Sequence, residues 1–424
     1  MFHARPLYLN LLLSSCIAVD RVQALPGSGI RSKLIDALSL RSTPSPYSEL
    51  ERRADQLTGI NLNPNGTPFL WLPDTTYSGK TFFDDWDFFT DSDPTSGNVD
   101  YVNKSTAIQN GYIFVQDDGT VIMKVDDTTT LPMGVNRPSV RITSQRQYNT
   151  GLFILDINRA PWGCGESVRN ALESLDAKIA QAIWPAFWTV GGNWPANGEI
   201  DILEGVHDNQ QNQISWHTNA GCMYDPSAQF TGTIPSDPVI GNHTDCDANK
   251  NSNSGCNVIE MSRASYGPYF ESQGGGILAM KWDENDISIW SFYRAAIPTD
   301  ITAGTPNPSL WGLPSAKLMN TMCNIPKFFA NHSIVFDITF CGDWAGNSYA
   351  SSGCPGTCAE RIMDPANFVN ATWSINSLKV FKKTLLSGAN SIPSSATPTF
   401  TRPAAAQVVA PSLVAAVLFL SVFL

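Results

Sequence analysis

Positive charge is scarce in this 424-residue chain. Lys and Arg number 27 against 38 Asp and Glu, charged residues make up 15%, and the formal net charge is −11. No Lys/Arg-rich patch is visible, so nucleic acid is not an expected partner. Long amphipathic repeats are also missing, while Gly (31) and Pro (28) are plentiful, so strands and turns should dominate over helices. There is no Rossmann glycine fingerprint, phosphate loop, zinc-type His-Glu pair or Gly-x-Ser-x-Gly elbow. No cofactor and no catalytic metal are therefore implied, and a structural calcium is left open. What remains suits an acidic secreted protein that acts on a neutral polymer.

Both ends read as addresses rather than as fold. Residues 1–24 have the pattern of a secretory signal: His3 and Arg5, an apolar run from Leu7 to Val19, and Val22-Gln23-Ala24 as cleavage site. Residues 25–64 are polar and aperiodic, and Arg52-Arg53 is a candidate processing site. At the other end, 387–407 form a spacer of small, Ser, Thr and Pro residues, and 408–424 are apolar but short for a spanning helix. This is the pattern of a GPI attachment signal, with the site near Ser394-Ser395-Ala396 or Gly388 to Ser391, and it implies the plasma membrane as a lipid-anchored partner. Loss of Cys16 with the signal leaves eight of nine cysteines: Cys164, Cys222, Cys246, Cys256, Cys323, Cys341, Cys354 and Cys358. In a secreted chain they imply four disulfides, with about 105 connectivities open. A zinc reading of Cys354 and Cys358 is disfavoured by the oxidising compartment. Sequons at Asn65, Asn103, Asn242, Asn331 and Asn370 add expected glycosylated loops.

The body over 65–386 shows recurring strand signals: Val121 to Val125, Ser139 to Ser144, Leu152 to Ile157, Ile277 to Trp282, Ile287 to Tyr293, Ile334 to Phe340 and Trp373 to Phe381. β-Branched and aromatic runs bounded by Gly, Asn, Asp or Pro predict two packed antiparallel sheets, a β-sandwich or jelly roll. Glu166 to Ile183 breaks the pattern, with Val168, Leu172, Leu175, Ile179 and Ile183 at helical spacing. It reads either as a surface helix or as a retained intron, since the codons for 165–167 and 180–181 can form splice donor and acceptor sequences. The intron reading is the preferred one.

The chemistry concentrates in Glu199-Ile200-Asp201-Ile202-Leu203-Glu204, three carboxylates in six residues. Period-two alternation puts Glu199 and Asp201 on one face and Ile200 and Ile202 on the other. Glu204 falls on the apolar face unless a β-bulge near Leu203 returns it. Three acids in a strand are ordinarily a solvated edge or a metal-binding loop. Here they are flanked by Trp184-Pro185-Ala186-Phe187-Trp188, Trp194 and Trp216-His217. Indoles beside paired acids suit a pyranose ring, and paired carboxylates with split pKa values are the chemistry of glycoside hydrolysis.

These residues resemble glycoside hydrolase family 16, and within it the fungal laminarinase-like endo-1,3(4)-β-glucanases. The resemblance runs over roughly 80–382. It includes Phe82 to Phe89 with Ser92-Asp93-Pro94, Ser139 to Ile142, Trp184 to Trp188, Gly198 to Gly205, His217-Thr218, Ser265 to Pro268, Phe340 to Gly346 and Gly353 to Cys358. It implies an all-β jelly-roll sandwich with a substrate groove across a concave sheet, and retaining hydrolysis of β-1,3 and mixed β-1,3(4)-glucans. Glu199 would be the nucleophile, Glu204 the general acid/base, and Asp201 the residue that orients the nucleophile and separates the pair's pKa values. Substrate-binding roles are expected for His217 (a donor near the acid/base or the sugar, or else a structural polar residue), Trp188 and Trp194 (sugar platforms or else core aromatics) and Arg141 (a partner of sugar hydroxyls or else a salt-bridged groove wall), whereas Trp86 and Trp344 are expected to be structural. A β-glucan polymer is the expected partner and a monomer the expected state. A cell-wall glucan transglycosylase and, less favoured, a non-catalytic glucan-binding protein are the alternatives.

Overall fold

The computed structural model describes residues 59–163, 182–207 and 209–386. These belong to a single compact unit. The signal, spacer and anchor readings, and the helix-or-intron reading up to residue 181, lie outside the described residues. Among the described residues no helix is long and apolar enough to cross a membrane.

Two large antiparallel sheets face each other, as expected from the strand pattern. A nine-stranded sheet runs in the order Asn61–Leu62, Pro68–Ser78, Thr372–Leu385, Gly151–Arg159, Gly276–Trp282, Asp286–Tyr293 and Ala316–Met319, with Ile113–Val115 and Val121–Lys124 branching off Thr372–Leu385. A seven-stranded sheet runs Cys256–Ile259, Gln213–His217, Glu199–Glu204, Ile183–Gly191, His332–Phe340, Ile142–Tyr148 and Trp86–Phe88. The strands therefore follow the sequence signals closely.

Three details differ from the sequence reading. Asn61–Leu62, assigned to the polar N-terminal segment, is an edge strand paired with Phe69 and Pro68, and the buried Asn61 side chain donates to the carbonyl of Gly59 at 2.9 Å. Ile183, counted with the helical spacing, opens a strand and pairs with Phe340. The run from Ser139 to Ser144 is two elements: Arg137–Ser139 pairs in parallel with Val99–Tyr101, and Ile142–Tyr148 joins the seven-stranded sheet. The chain changes partner at Arg141, whose carbonyl accepts from Phe89.

Alternation explains the core. Along Gly151–Arg159, Phe153, Leu155 and Ile157 point between the sheets, whereas Leu152 and Ile154 face the opposite side and are covered by Ile301 and Trp311. From the seven-stranded sheet, Ile200, Ile202, Phe187, Ile214, Trp216 and Phe336 fill the inter-sheet layer. Phe187 stacks on Phe336 at 4.6 Å between centroids, and Phe336 meets Trp373 of the other sheet edge-on at 5.4 Å. With this face dry, the polar residues between these positions are presented on the outer face of the seven-stranded sheet.

Disulfides join Cys222 to Cys323, Cys246 to Cys256 and Cys341 to Cys358. Cys354 is also disulfide-bonded, which removes it from the zinc reading. Of the sequon asparagines, Asn65, Asn103, Asn242 and Asn331 are exposed and Asn370 is half-buried.

Candidate active site

The strand Glu199–Glu204 begins where only glycine fits. Gly198 has φ +78°, and a Cβ there would lie 2.4 Å from the carbonyl of Phe328. The expected bulge is present. Against Ile183–Gly191 the register passes from Trp188–Asp201 to Phe187–Leu203, skipping Ile202. Against Gln213–His217 it passes from Asp201–Ser215 to Glu204–Gln213. Ile202 and Leu203 both go to the core, and Glu199, Asp201 and Glu204 all line one cavity of about 340 Å³.

The neighbouring strand supplies the next row by the same alternation. Trp184, Ala186, Trp188 and Val190, every second residue, line the cavity. Cross-strand pairing sets Ala186 between Glu204 on one side and Asp337 on the other. A small residue there leaves space on the sheet between two acids. Asp93, Thr95, Tyr101, Arg141, Trp194, Asn253, Thr339 and Asp343 complete most of the wall.

The acids are tightly coupled. Burial, then the charge of Asp201, pushes the Glu199 carboxyl up to about 8, against the His217 charge and a hydrogen bond from Trp194. Burial and Asp201 also hold Glu204 well above the usual carboxylate range. Its main counterweight is the Trp184 indole, whose Nε1 donates to Oε1 at 2.7 Å. Glu199 is the more exposed of the two and faces both His217 and Arg141, so it is the one that ionises first. Paired acids pushed apart in this way are an acid/base arrangement.

His217 sits behind the cavity rather than on its wall. Its Nε2 is 3.3 Å from Oδ2 of Asp201 and its Nδ1 is 3.0 Å from Oδ1 of Asn253. Burial disfavours its charge, but the Asp201 hydrogen bond and the three carboxylates outweigh that and raise it to about 10. One ligand atom each from Glu199, Asp201 and His217 lie within 4.8 Å of one another, a set that could hold a cation. A protonated His217 on Asp201 already supplies the positive charge such a site would seek.

Arg141 lies with its guanidinium carbon 5.0 Å from the Trp188 ring and 4.6 Å from the Phe89 ring. Trp188 donates to Asp337 at 3.2 Å. Trp188 is thus half of a stacked wall, whereas Trp194 is 45% exposed at the cavity. Trp86 is buried on Phe82, and Trp344 packs edge-on against Trp184 at 5.7 Å. Sequence reasoning counted Trp184 only among the indoles flanking the acids and gave no role to Asn253 or Asp337. Alternation along Ile183–Gly191 carried the signal for Trp184; Asn253 and Asp337 come from distant segments and left none.

A jelly-roll sandwich with a bulged acid strand under an indole-lined cavity defines a carbohydrate-active enzyme class. The chain belongs to glycoside hydrolase family 16, whose members are retaining: residues 86–169 and 171–381 match the XgeA-like catalytic domain of that family. A probable glycosidase of Schizosaccharomyces pombe is 42% identical over 72% of this chain and 68% of its own length. A probable endo-1,3(4)-β-glucanase of Aspergillus clavatus is 38% identical over 72% of this chain. This chain spans 46% of the length of that relative. Laminarinase 16A of Phanerochaete chrysosporium, solved with β-glucans in donor and acceptor sites, is 36% identical with TM-score 0.65, covering 74% of this chain and 99% of that one. An elongating family 16 β-1,3-glucosyltransferase is 38% identical with TM-score 0.64, covering 74% of this chain and all of the other.

Proposed function

We propose that this protein is a retaining endo-β-glucanase that cleaves β-1,3 and mixed β-1,3(4)-glucans. The observation that carries the reading is the acid row Glu199, Asp201 and Glu204 on one bulged strand, at the floor of a cavity walled by Trp184, Trp188 and Trp194. Ionised Glu199 attacks the anomeric carbon while Glu204 gives its proton to the departing glycosidic oxygen, so the C–O bond breaks as the glycosyl ester forms. Glu204, now a carboxylate, takes a proton from water, which displaces Glu199. Asp201, held by His217, keeps a charge between the two glutamates so that both do not ionise together. Trp194 is the sugar platform, and Arg141 with Trp188 forms the polar side wall.

The test uses the full-length secreted protein on laminarin and on mixed-linkage β-glucan, with Glu199→Gln as control. Reducing ends released with retained configuration, and lost in Glu199→Gln, are expected. An inverted first product, or equal release by the variant, sinks the assignment. A second reading, transfer to another glucan in place of water, is favoured by the likeness to the elongating glucosyltransferase. Products longer than the substrate would mark it. Intact acids argue against a pure binding protein, because binding needs no paired carboxylates. We further infer secretion, glycosylation at Asn65, Asn103, Asn242, Asn331 and Asn370, and a GPI anchor. These rest on the sequence patterns at 1–24, the sequons and 387–424. Release of the protein from cells by a phosphatidylinositol-specific phospholipase tests the anchor.

A further inference from the structure

Glu204 faces the cavity because its strand carries one extra residue, and an extra residue pulls backbone groups out of the ladder. Two backbone groups at the bulge, the carbonyl of Ile202 and the amide of Glu204, meet the same side chain. Asn212 Nδ2 donates to the Ile202 carbonyl at 2.8 Å, and Asn212 Oδ1 accepts from the Glu204 amide at 2.9 Å. Asn212 is wholly buried. Its own amide donates to Ser265 Oγ at 2.9 Å, and its carbonyl accepts from the Glu260 amide at 2.9 Å. A primary amide carries an acceptor and a donor on one plane, so it can bridge the two sides of the bulge at once.

The Ser265-Tyr266 pair, conspicuous in the sequence but without a role in the chemistry, buttresses this arrangement. Ser265 seats Asn212. Tyr266 closes the far side: a Cβ on Gly205, the residue after Glu204, would come within 2.7 Å of the Tyr266 ring. The Tyr266 hydroxyl is tied in turn to the Pro161 carbonyl at 2.7 Å. Glu204 is therefore held from its amide side by Asn212 and from its carboxy-terminal side by the Tyr266 ring.

We propose that Asn212 is a positioning residue for Glu204, clamping the bulge that aims this carboxyl at the leaving oxygen. The proposal rests on the reading of Glu204 as the general acid/base.

The test exploits the leaving group. A sugar alkoxide needs a proton to depart, whereas a dinitrophenolate does not. In full-length Asn212→Ala, kcat/KM on laminarin should fall about 100-fold, the scale of a misplaced catalytic group. On 2,4-dinitrophenyl β-laminaribioside it should fall less than about 3-fold. Equal losses on both substrates, or no loss on laminarin, overturn the proposal. Glu204→Ala must show the same leaving-group contrast. If it does not, or if the wild type is inert, the acid/base reading fails, and the clamp is judged by amide exchange instead. There, Asn212→Ala should speed exchange of the Glu204 amide about 10-fold or more while other amides of the strand keep their rates; an unchanged Glu204 rate overturns it. Should Asn212→Ala not fold, Asn212→Asp keeps the acceptor and regains the donor only when protonated. Its laminarin deficit relative to wild type should shrink toward low pH, and a deficit constant with pH overturns the clamp.

Discussion

The indole Nε1 of Trp184 lies 2.7 Å from Oε1 of Glu204, reaching it from the adjacent strand two residues before Ala186, the partner of Glu204. An N–H that donates to a carboxylate favours its charged form, so this bond offsets part of what burial and Asp201 do to Glu204. Trp184→Phe keeps the ring against Trp344 but removes the donor. Glu204 should then hold its proton to higher pH, and the alkaline limb of kcat/KM should move upward. A hydrogen bond to a charged group contributes about 1.5–3 kcal/mol, so the limb should move by about 1–2 pH units. A pH–rate profile that superimposes on wild type would refute the role given to this bond.

Stability should fall toward alkaline pH, and the active site should be the reason. Burial and Asp201 raise Glu199 to about 8, and the net effect on His217 is a rise to about 10. Glu204 is raised as well. Each group binds its proton more tightly folded than unfolded. Its stabilising contribution is complete below the unfolded pKa, near 4.5 for a glutamate and 6.5 for a histidine. It is lost as pH rises through the folded value. Glu199→Gln mimics the protonated acid and cannot incur the penalty. Its unfolding midpoint should match wild type near pH 4.5 and exceed it by roughly 2–5 °C at pH 9. Calorimetric scans across that range decide it, and a gap independent of pH would sink the argument.

Much of this architecture was legible because local alternation decides it. The inward residues of Leu152 to Ile157 and Ile334 to Phe340 could be read from period two alone, and so could the shared face of Glu199 and Asp201. The bulge was legible as well, because without it Glu204 would enter a dry layer already filled by Ile200 and Ile202. The partners of these acids were harder. Asn253 reaches His217 across 36 residues, and Asp337 reaches Trp188 across 149. Contacts of that range depend on strand order, which no single segment encodes. Arg141 failed as part of a continuous strand for the same reason: the switch of partner at this residue is set by Val99–Tyr101 and Phe89, not by its own neighbours.

Trp194 combines a hydrogen bond and an exposed ring, which substitution can separate. Its side chain hydrogen-bonds Glu199, which lowers that acid against burial, and its ring is 45% exposed at the cavity. Trp194→Phe keeps an aromatic face and removes the donor. Glu199 should then ionise at higher pH, so the acid limb of kcat/KM moves up while KM changes little. Trp194→Ala removes the platform too, and KM for laminarin should rise about 10-fold, in line with the roughly 1–3 kcal/mol of a stacked aromatic contact in other ligands. Equal KM values for the two variants would show that the ring is not a platform.

Two of the disulfides should divide stability from activity. Cys222–Cys323 spans 101 residues between buried cysteines, so it restricts the unfolded chain strongly, by about 4–5 kcal/mol on a chain-entropy account. Cys246–Cys256 spans only 10 residues, but its loop carries Asn253, the partner of His217 and part of the cavity wall. In that loop Asn251, Ser252 and Asn253 have φ of 51°, 54° and 61°, three successive non-glycine residues in the left-handed region. Each costs about 1–2 kcal/mol, so the turn persists only while its ends are held. Replacing Cys222 and Cys323 by serine should lower the unfolding midpoint by roughly 10 °C and leave kcat/KM at 25 °C nearly unchanged. Replacing Cys246 and Cys256 should lower the midpoint less and reduce kcat/KM about 10-fold or more, because a relaxed turn withdraws Asn253 from His217 and frees Asp201 to shift between the two glutamates. Thermal scans and laminarin kinetics on the two variants read both effects, and the opposite pattern would mean that the strained turn holds itself and Asn253 has no part in setting the acid row.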